Sequence, residues 1–225
     1  MVAVLEEINQ LNNEPSACLI FLHGVGRSGQ YEKNKFIKLL GENASFKHIK
    51  IVFPTSPVKH FSLFGKDTNC WFNAEEENGR MKTSLSEIDE AADSLREIII
   101  EQEKCGIKRD RIVIGGESQG GMISLHAAYR FYPEIAGVVA VSACLPEQHT
   151  VYKAAKDLEK RPPLLMIHSS KDGMIPFEWG KIAFDRLEAV GVEGKFHEIA
   201  EASHELILQE LEIIYKWMEA ILPQI

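Results

Sequence analysis

The sequence predicts an α/β fold, with a mainly parallel sheet and helices on both faces. Three observations predict it. Short apolar runs alternate along the chain with amphipathic stretches of helical period. The apolar runs are continuous, as in strands that are covered on both sides. One of them, Arg111-Ile112-Val113-Ile114, leads into Gly116-Glu117-Ser118-Gln119-Gly120 and then a helix-compatible run, which makes a strand–turn–helix junction.

In chain order, the strand candidates are residues 17–22, 48–53, 111–114, 137–142, 164–168 and 195–199. Each is a short run rich in Val, Ile, Leu or Phe. Helix candidates fall between them at 32–40, 120–130, 152–159, 178–190 and 205–220. A further helix starts at Ser84, where Glu87 three residues on suggests a capping box. Its Ile88, Ala92, Leu95 and Ile99 share one face, and Gly106 ends it. Strand–helix alternation implies right-handed crossovers, with active groups gathered at the carboxyl ends of the strands. Residues 54–82 interrupt the rhythm. This stretch is too long for an ordinary connection and is read as a wall of the substrate pocket. Phe61, Phe64 and Trp71 are its candidate acyl contacts; the other role open to Trp71 is to plug the core.

Composition narrows the functional classes. The chain has 225 residues, which suits one domain spanning 1–225. Its net charge is −8 and it has no Lys/Arg run, so nucleic acid is not an expected partner. The N-terminal stretch 1–13 carries Glu6 and Glu7 and lacks the long apolar centre of a signal peptide. No apolar run is long enough to span a bilayer, and there is no lipidation signal or polybasic patch. A cytoplasmic protein without a stable membrane anchor is expected. Cys18, Cys70, Cys105 and Cys144 form no Cys-x-x-Cys pair, and Cys18 and Cys144 read as core thiols.

The chemistry centres on Ser118. A serine hydroxyl needs a base to take its proton, and the base needs an orienting acid. In α/β-hydrolases the chain order is Ser, then Asp or Glu, then His. Asp172 lies in a Gly-containing turn just past the strand at 164–168, while Asp157 and Asp185 fall inside helices. Among the eight histidines, His204 alone follows Asp172 in a strand-to-helix loop, just after residues 200–203. Two backbone N–H groups should receive the oxyanion. One belongs to Gln119, after the nucleophile and at a helix N-terminus. The other belongs to Val25, in the glycine-rich loop Leu22-His23-Gly24-Val25-Gly26. That loop lacks a full Gly-x-Gly-x-x-Gly, so a dinucleotide site is not expected.

Together these residues resemble the acyl-protein thioesterase and lysophospholipase family of small α/β-hydrolases, over nearly the whole chain. Leu22-His23-Gly24, Pro54-Thr55, Trp71-Phe72, Gly116 to Gly121, His168 with Asp172 and Pro176, and His204-Glu205 carry the likeness. Segments such as Gly106-Ile107-Lys108, His126 to Arg130 and Lys195-Phe196-His197 look closest to its lysophospholipase-like branch. The resemblance implies an α/β-hydrolase fold with a minimal cap. It also implies a serine hydrolase that needs no metal or cofactor and acts on acyl esters or S-acylated proteins. It carries Ser118, Asp172 and His204 over as the triad, with Val25 and Gln119 as oxyanion donors. A receptor or interaction protein on the same fold is the rival class, but its mark would be a missing triad member and none is missing. Two positions depart from the family. Glu117 stands where Phe is common, and Arg27 where Asp is usual. Gln119 follows the thioesterase pattern, whereas Met is frequent in the lysophospholipase-like branch. Glu117 is expected to turn away from the site into a hydrogen-bonded niche, because an unpaired buried carboxylate is costly.

Overall fold

The computed structural model describes residues 5–12, 14–77, 80–146, 149–200 and 202–225, with Arg80 by its backbone alone. Parts of the N-terminal stretch, of the 54–82 excursion and of the loop before His204 (Glu201) lie outside the described residues.

A seven-stranded sheet forms the centre, in the order β1-β3-β2-β8-β9-β10-β11. β2 (Ala17–Leu22), β3 (Ile49–Pro54), β8 (Ile112–Glu117), β9 (Gly137–Val141), β10 (Leu164–Ser169) and β11 (Gly194–Ile199) are parallel. β1 (Leu5–Ile8) adds an antiparallel edge on β3. Side-chain alternation divides each central strand between two cores. Cys18, Ile20 and Leu22 face one cluster with β8 residues Ile112 and Ile114, while Leu19, Phe21 and Val113 face the other. The first cluster is closed by α2 (Leu85–Asp93), α3 (Leu95–Lys104), α4 (Gln119–Arg130), α5 (Thr150–Asp157) and α6 (Phe177–Ala189). The second is closed by α1 (Gly29–Leu40) and α7 (Leu208–Ile221). Helices therefore cover both faces, as the continuous apolar strands require.

Four readings are corrected. The 54–82 excursion is not a bare loop. It contains the hairpin β4 (Val58–Phe61) with β5 (Lys66–Asn69) and, farther on, β6 (Ala74–Glu77), which pairs with β7 (Arg80–Thr83). Residues of both hairpins, Phe61 and Ala74 among them, line the cavity beside Ser118. The helix expected from Ser84 to Gly106 is split at Ser94, whose hydroxyl donates to the Ala91 carbonyl. Its four face residues are nonetheless buried. The capping box does not form: the Ser84 hydroxyl pairs with that of Ser86, and Glu87 accepts instead from the Asn73 N–H at 2.8 Å. Glu87 thereby ties α2 to the excursion. The last helix begins at Leu208 rather than 205, where the Glu210 carboxylate accepts from the Ile207 N–H at 2.9 Å.

Candidate active site

Ser118 stands at the carboxyl end of β8, the middle strand of the sheet, with φ 56° and ψ −120°. Such backbone is strained for a residue with a β-carbon. The turn around it is tight enough to exclude side chains at its flanks: a Cβ on Gly120 would lie 2.2 Å from the Leu22 carbonyl oxygen, and one on Gly116 would lie 2.5 Å from the Gly120 carbonyl carbon. The two glycines thus let β8, β2 and α4 close on each other and leave the Ser118 hydroxyl clear of the chain.

The structure brings the three sequence-selected side chains together. His204 Nε2 lies 2.9 Å from Ser118 Oγ, and His204 Nδ1 lies 2.7 Å from Asp172 Oδ2. Asp172 Oδ1 accepts from the N–H groups of Met174 at 2.8 Å and Ile175 at 2.9 Å. Its side chain is out of solvent. Burial pushes its carboxyl up, but bonds from His168, His204, Ile175 and Met174 outweigh this and hold it well below the usual carboxylate range. The histidine thus has an ionised partner on one nitrogen and the serine hydroxyl on the other.

The glycine loop that carries Val25 is braced from beneath. His23 is buried, with Nδ1 2.7 Å from the Gly24 carbonyl, and Nε2 accepts from the Ser56 N–H at 3.0 Å. The imidazole thus donates from Nδ1, and desolvation lowers its pKa to about 4, keeping it neutral in that role. The Gly26 N–H donates to the Asn69 carbonyl at 2.8 Å, tying the loop to the β4–β5 hairpin.

A cavity of about 750 Å³ opens beside Ser118 and is lined by Val25, Arg27, Glu117, Gln119 and His204 at its polar end. Phe61 and Phe64 line its apolar part, together with Leu63, Phe72, Met122 and Trp179. Trp71 is not among the lining residues. It is 1% exposed, and its indole N–H donates to the His23 carbonyl at 2.8 Å, so it braces the glycine loop instead of touching an acyl group. Its neighbour Phe72 takes the place expected of it. Gln119 explains why. Its side-chain oxygen accepts from the Trp71 N–H at 2.7 Å and its amide donates to the Phe72 carbonyl at 2.8 Å. The residue after Ser118 therefore fastens the pocket wall with its side chain. Met174, Ile175 and Trp179 were not singled out in the sequence, although the rule that active groups gather at strand ends covers the turn after β10.

Glu117 does turn away from the serine, as the alternation along β8 dictates, toward α1 and α7. The niche there is ionic more than hydrogen-bonded. Lys35 Nζ lies 3.9 Å from Glu117 Oε2, and that oxygen has no hydrogen-bond partner among the described residues. Burial raises the Glu117 carboxyl, and Lys35 opposes the rise. Arg27 stacks on the Tyr31 ring at 4.3 Å from its centroid.

A serine on a strained strand–helix turn, a histidine on it and a buried aspartate behind the histidine, all at the carboxyl ends of a parallel sheet, define a hydrolase of the α/β class. The chain belongs to the phospholipase/carboxylesterase family, whose pattern it matches over residues 4–222. It is similar to lysophospholipase-like protein 1 of Mus musculus, at 37% identity over 213 residues, covering 92% of this chain and 88% of that protein. It is 32% identical over 216 residues to acyl-protein thioesterase 1 homolog 1 of Dictyostelium discoideum, covering 93% and 92% of the two chains. The crystal structure of Zea mays acyl-protein thioesterase 2 shares the fold, with a TM-score of 0.83 at 23% identity over 97% of this chain and 99% of that one. Among the described residues, no helix is long and apolar enough to cross a membrane.

Proposed function

We propose that the protein cleaves carboxylic esters and acyl thioesters through an acyl-serine intermediate on Ser118. His204 takes the hydroxyl proton as Ser118 attacks the acyl carbon, then gives it to the departing alcohol or thiol. Water repeats the sequence to release the acid. Asp172 holds the imidazole in register and stabilises its charged form. The N–H groups of Val25 and Gln119 receive the oxyanion, where each such donor typically contributes roughly 2.7–4 kcal/mol. The observation that carries this reading is the continuous line of contacts from Asp172 to His204 to Ser118, at 2.7 and 2.9 Å, opening on an apolar cavity.

The acyl group lies along Phe61, Phe64, Phe72 and Met122, in a cavity whose size falls within the roughly 300–1,000 Å³ of small-molecule sites. Substrates are S-acylated proteins or smaller acyl esters, a reading supported by the acyl-protein thioesterase and lysophospholipase-like names of its relatives. Four unpaired thiols, Cys18, Cys70, Cys105 and Cys144, favour a reducing, cytoplasmic setting.

The test is hydrolysis of p-nitrophenyl esters from acetate to palmitate, and of a matched S-acyl thioester, by wild type and Ser118→Ala. Activity should fall by about 10⁴-fold or more in the variant. An optimum at long chains supports depalmitoylation, and one at short chains supports a compact-pocket esterase. Equal rates in the two proteins would overturn the assignment of Ser118.

A further inference from the structure

The turn after β10 has two duties. The N–H groups of Met174 and Ile175 clamp Asp172 Oδ1, and the same two residues line the cavity. What fastens this turn to the body of the protein is His168. It lies on β10 and is fully buried. Strand alternation points it toward the face where α6 packs. Its Nε2 is 2.9 Å from the Ile175 carbonyl oxygen and 3.5 Å from Asp172 Oδ2. Both neighbours are acceptors, so Nε2 carries the hydrogen; it donates to Ile175, with Asp172 as a longer second acceptor. Nδ1 has no hydrogen-bond partner among the described residues. The ring fits only because residue 180 in α6 is glycine: a Cβ there would lie 2.2 Å from Nδ1 and 2.8 Å from Cε1. Phe177 closes the other side, edge-on with ring centroids 6.0 Å apart.

Two of these features work against stability. A buried ring nitrogen goes unpaired, and a glycine sits inside a helix where alanine is preferred. Packing alone would be served better by an apolar side chain at 168 and alanine at 180. What the arrangement does secure is a fixed donor on the turn that aims the acid.

We propose that His168 is a positioning residue, which pins the 172–176 turn against α6 so that Asp172 Oδ2 stays directed at His204 Nδ1. The proposal rests on the reading of Ser118, His204 and Asp172 as the triad. Because Met174 and Ile175 also line the cavity, the pin holds the acid and one acyl wall as a single unit.

The experiment compares full-length wild type, Ser118→Ala, His168→Leu, His168→Gln and Gly180→Ala. It measures kcat and KM on one p-nitrophenyl ester, the pH profile of kcat/KM and the thermal midpoint. His168→Leu and Gly180→Ala should lower kcat by about 10²-fold, the scale of a small misplacement of a catalytic group, and raise KM by a smaller factor, because Met174 and Ile175 shift with the turn. The acid limb of kcat/KM should move to lower pH, because a misdirected Asp172 no longer stabilises the His204 imidazolium. His168→Gln keeps an N–H donor and should recover part of the loss. Should His168→Leu or Gly180→Ala fail to fold, the double variant His168→Ala/Gly180→Ala carries the test, since removing the imidazole makes room for the Cβ at 180. Wild-type kcat with an unmoved acid limb in these variants overturns the proposal, as does a loss of kcat that only follows the folded fraction. If Ser118→Ala is inactive while the His168 variants match wild type, the pin alone is wrong. If Ser118→Ala keeps full activity, the triad reading fails and takes the pin with it.

Discussion

Two sets of buried carboxylates stand on either side of the Ser118–His204 contact, in opposite surroundings. Asp172 is met by two backbone N–H groups and by two imidazoles, and its carboxyl is held well below the ordinary range. Glu32, Glu117 and Glu210 are 0%, 8% and 1% exposed and have few donors. Neither oxygen of Glu32 has a hydrogen-bond partner among the described residues. Burial pushes its carboxyl up to about 8, with Glu117 adding to the rise, and Glu210 up to about 7. The difference lies in the donors, not in the depth. A turn after a strand offers free N–H groups, whereas the α1 and α7 side chains that meet Glu117 bring Lys35 as the one cation paired with it among the described residues. Hydrogen bonds therefore keep Asp172 charged despite its burial, while burial pushes the others toward neutrality.

The sharpest way to break this contrast is Asp172→Asn. It preserves shape but removes the charge and the tautomer control, and kcat should fall by about 10⁴-fold with the protein still folded, as read by steady-state kinetics and circular dichroism. Next comes Lys35→Met, which keeps the aliphatic stem and strips the niche of its cation. It should cost on the order of 2 kcal/mol at pH 8, and less at pH 5 where Glu117 can take a proton, by urea unfolding at both pH values. The smallest effect is expected from Glu32→Gln, with the opposite sign. A carboxyl raised from 4.5 to about 8 on folding favours the folded state fully below its unfolded value, and that contribution is lost as pH climbs through 8. The variant should thus match wild type near pH 4 and gain stability relative to it as pH climbs through 8, measured as the thermal midpoint across that range. A difference that is constant with pH would mean that the Glu32 carboxyl titrates alike in the folded and unfolded chain.

The parts of the molecule that were legible in the sequence are those where a single physical pattern decides. β2, β8, β9 and β10 are continuous apolar runs because helices cover both faces, and their side chains are buried almost without exception. Ser118, Asp172 and His204, chosen from chain order and from their places past strand ends, come together at 2.9 and 2.7 Å. The excursion was illegible for the opposite reason. Val58-Lys59-His60-Phe61, Lys66-Asp67-Thr68-Asn69 and Ala74-Glu75-Glu76-Glu77 are mostly polar four-residue strands, held by hairpin pairing and by a small cluster of Phe61, Cys70 and Ala74 instead of a continuous apolar run. β1, Leu5-Glu6-Glu7-Ile8, is a polar edge strand of the same kind. The capping box at Ser84 failed because a distant N–H, that of Asn73, competes for Glu87, and no local motif reports such a competitor. Trp71 shows the same limit: whether an aromatic residue lines a pocket or braces a loop depends on a partner 48 positions away.

The backbone at Ser118 has a consequence for how the chain can change over time. At φ 56°, a β-carbon there costs of order 1–3 kcal/mol, which glycine would avoid at a smaller cost in chain entropy. Selection for folding alone would therefore drive the position toward glycine. A lineage that ceased to need the hydroxyl could gain stability in a single step by discarding it. If the proposed chemistry at Ser118 holds, serine at position 118 is metastable under drift and is kept there by function, not by folding.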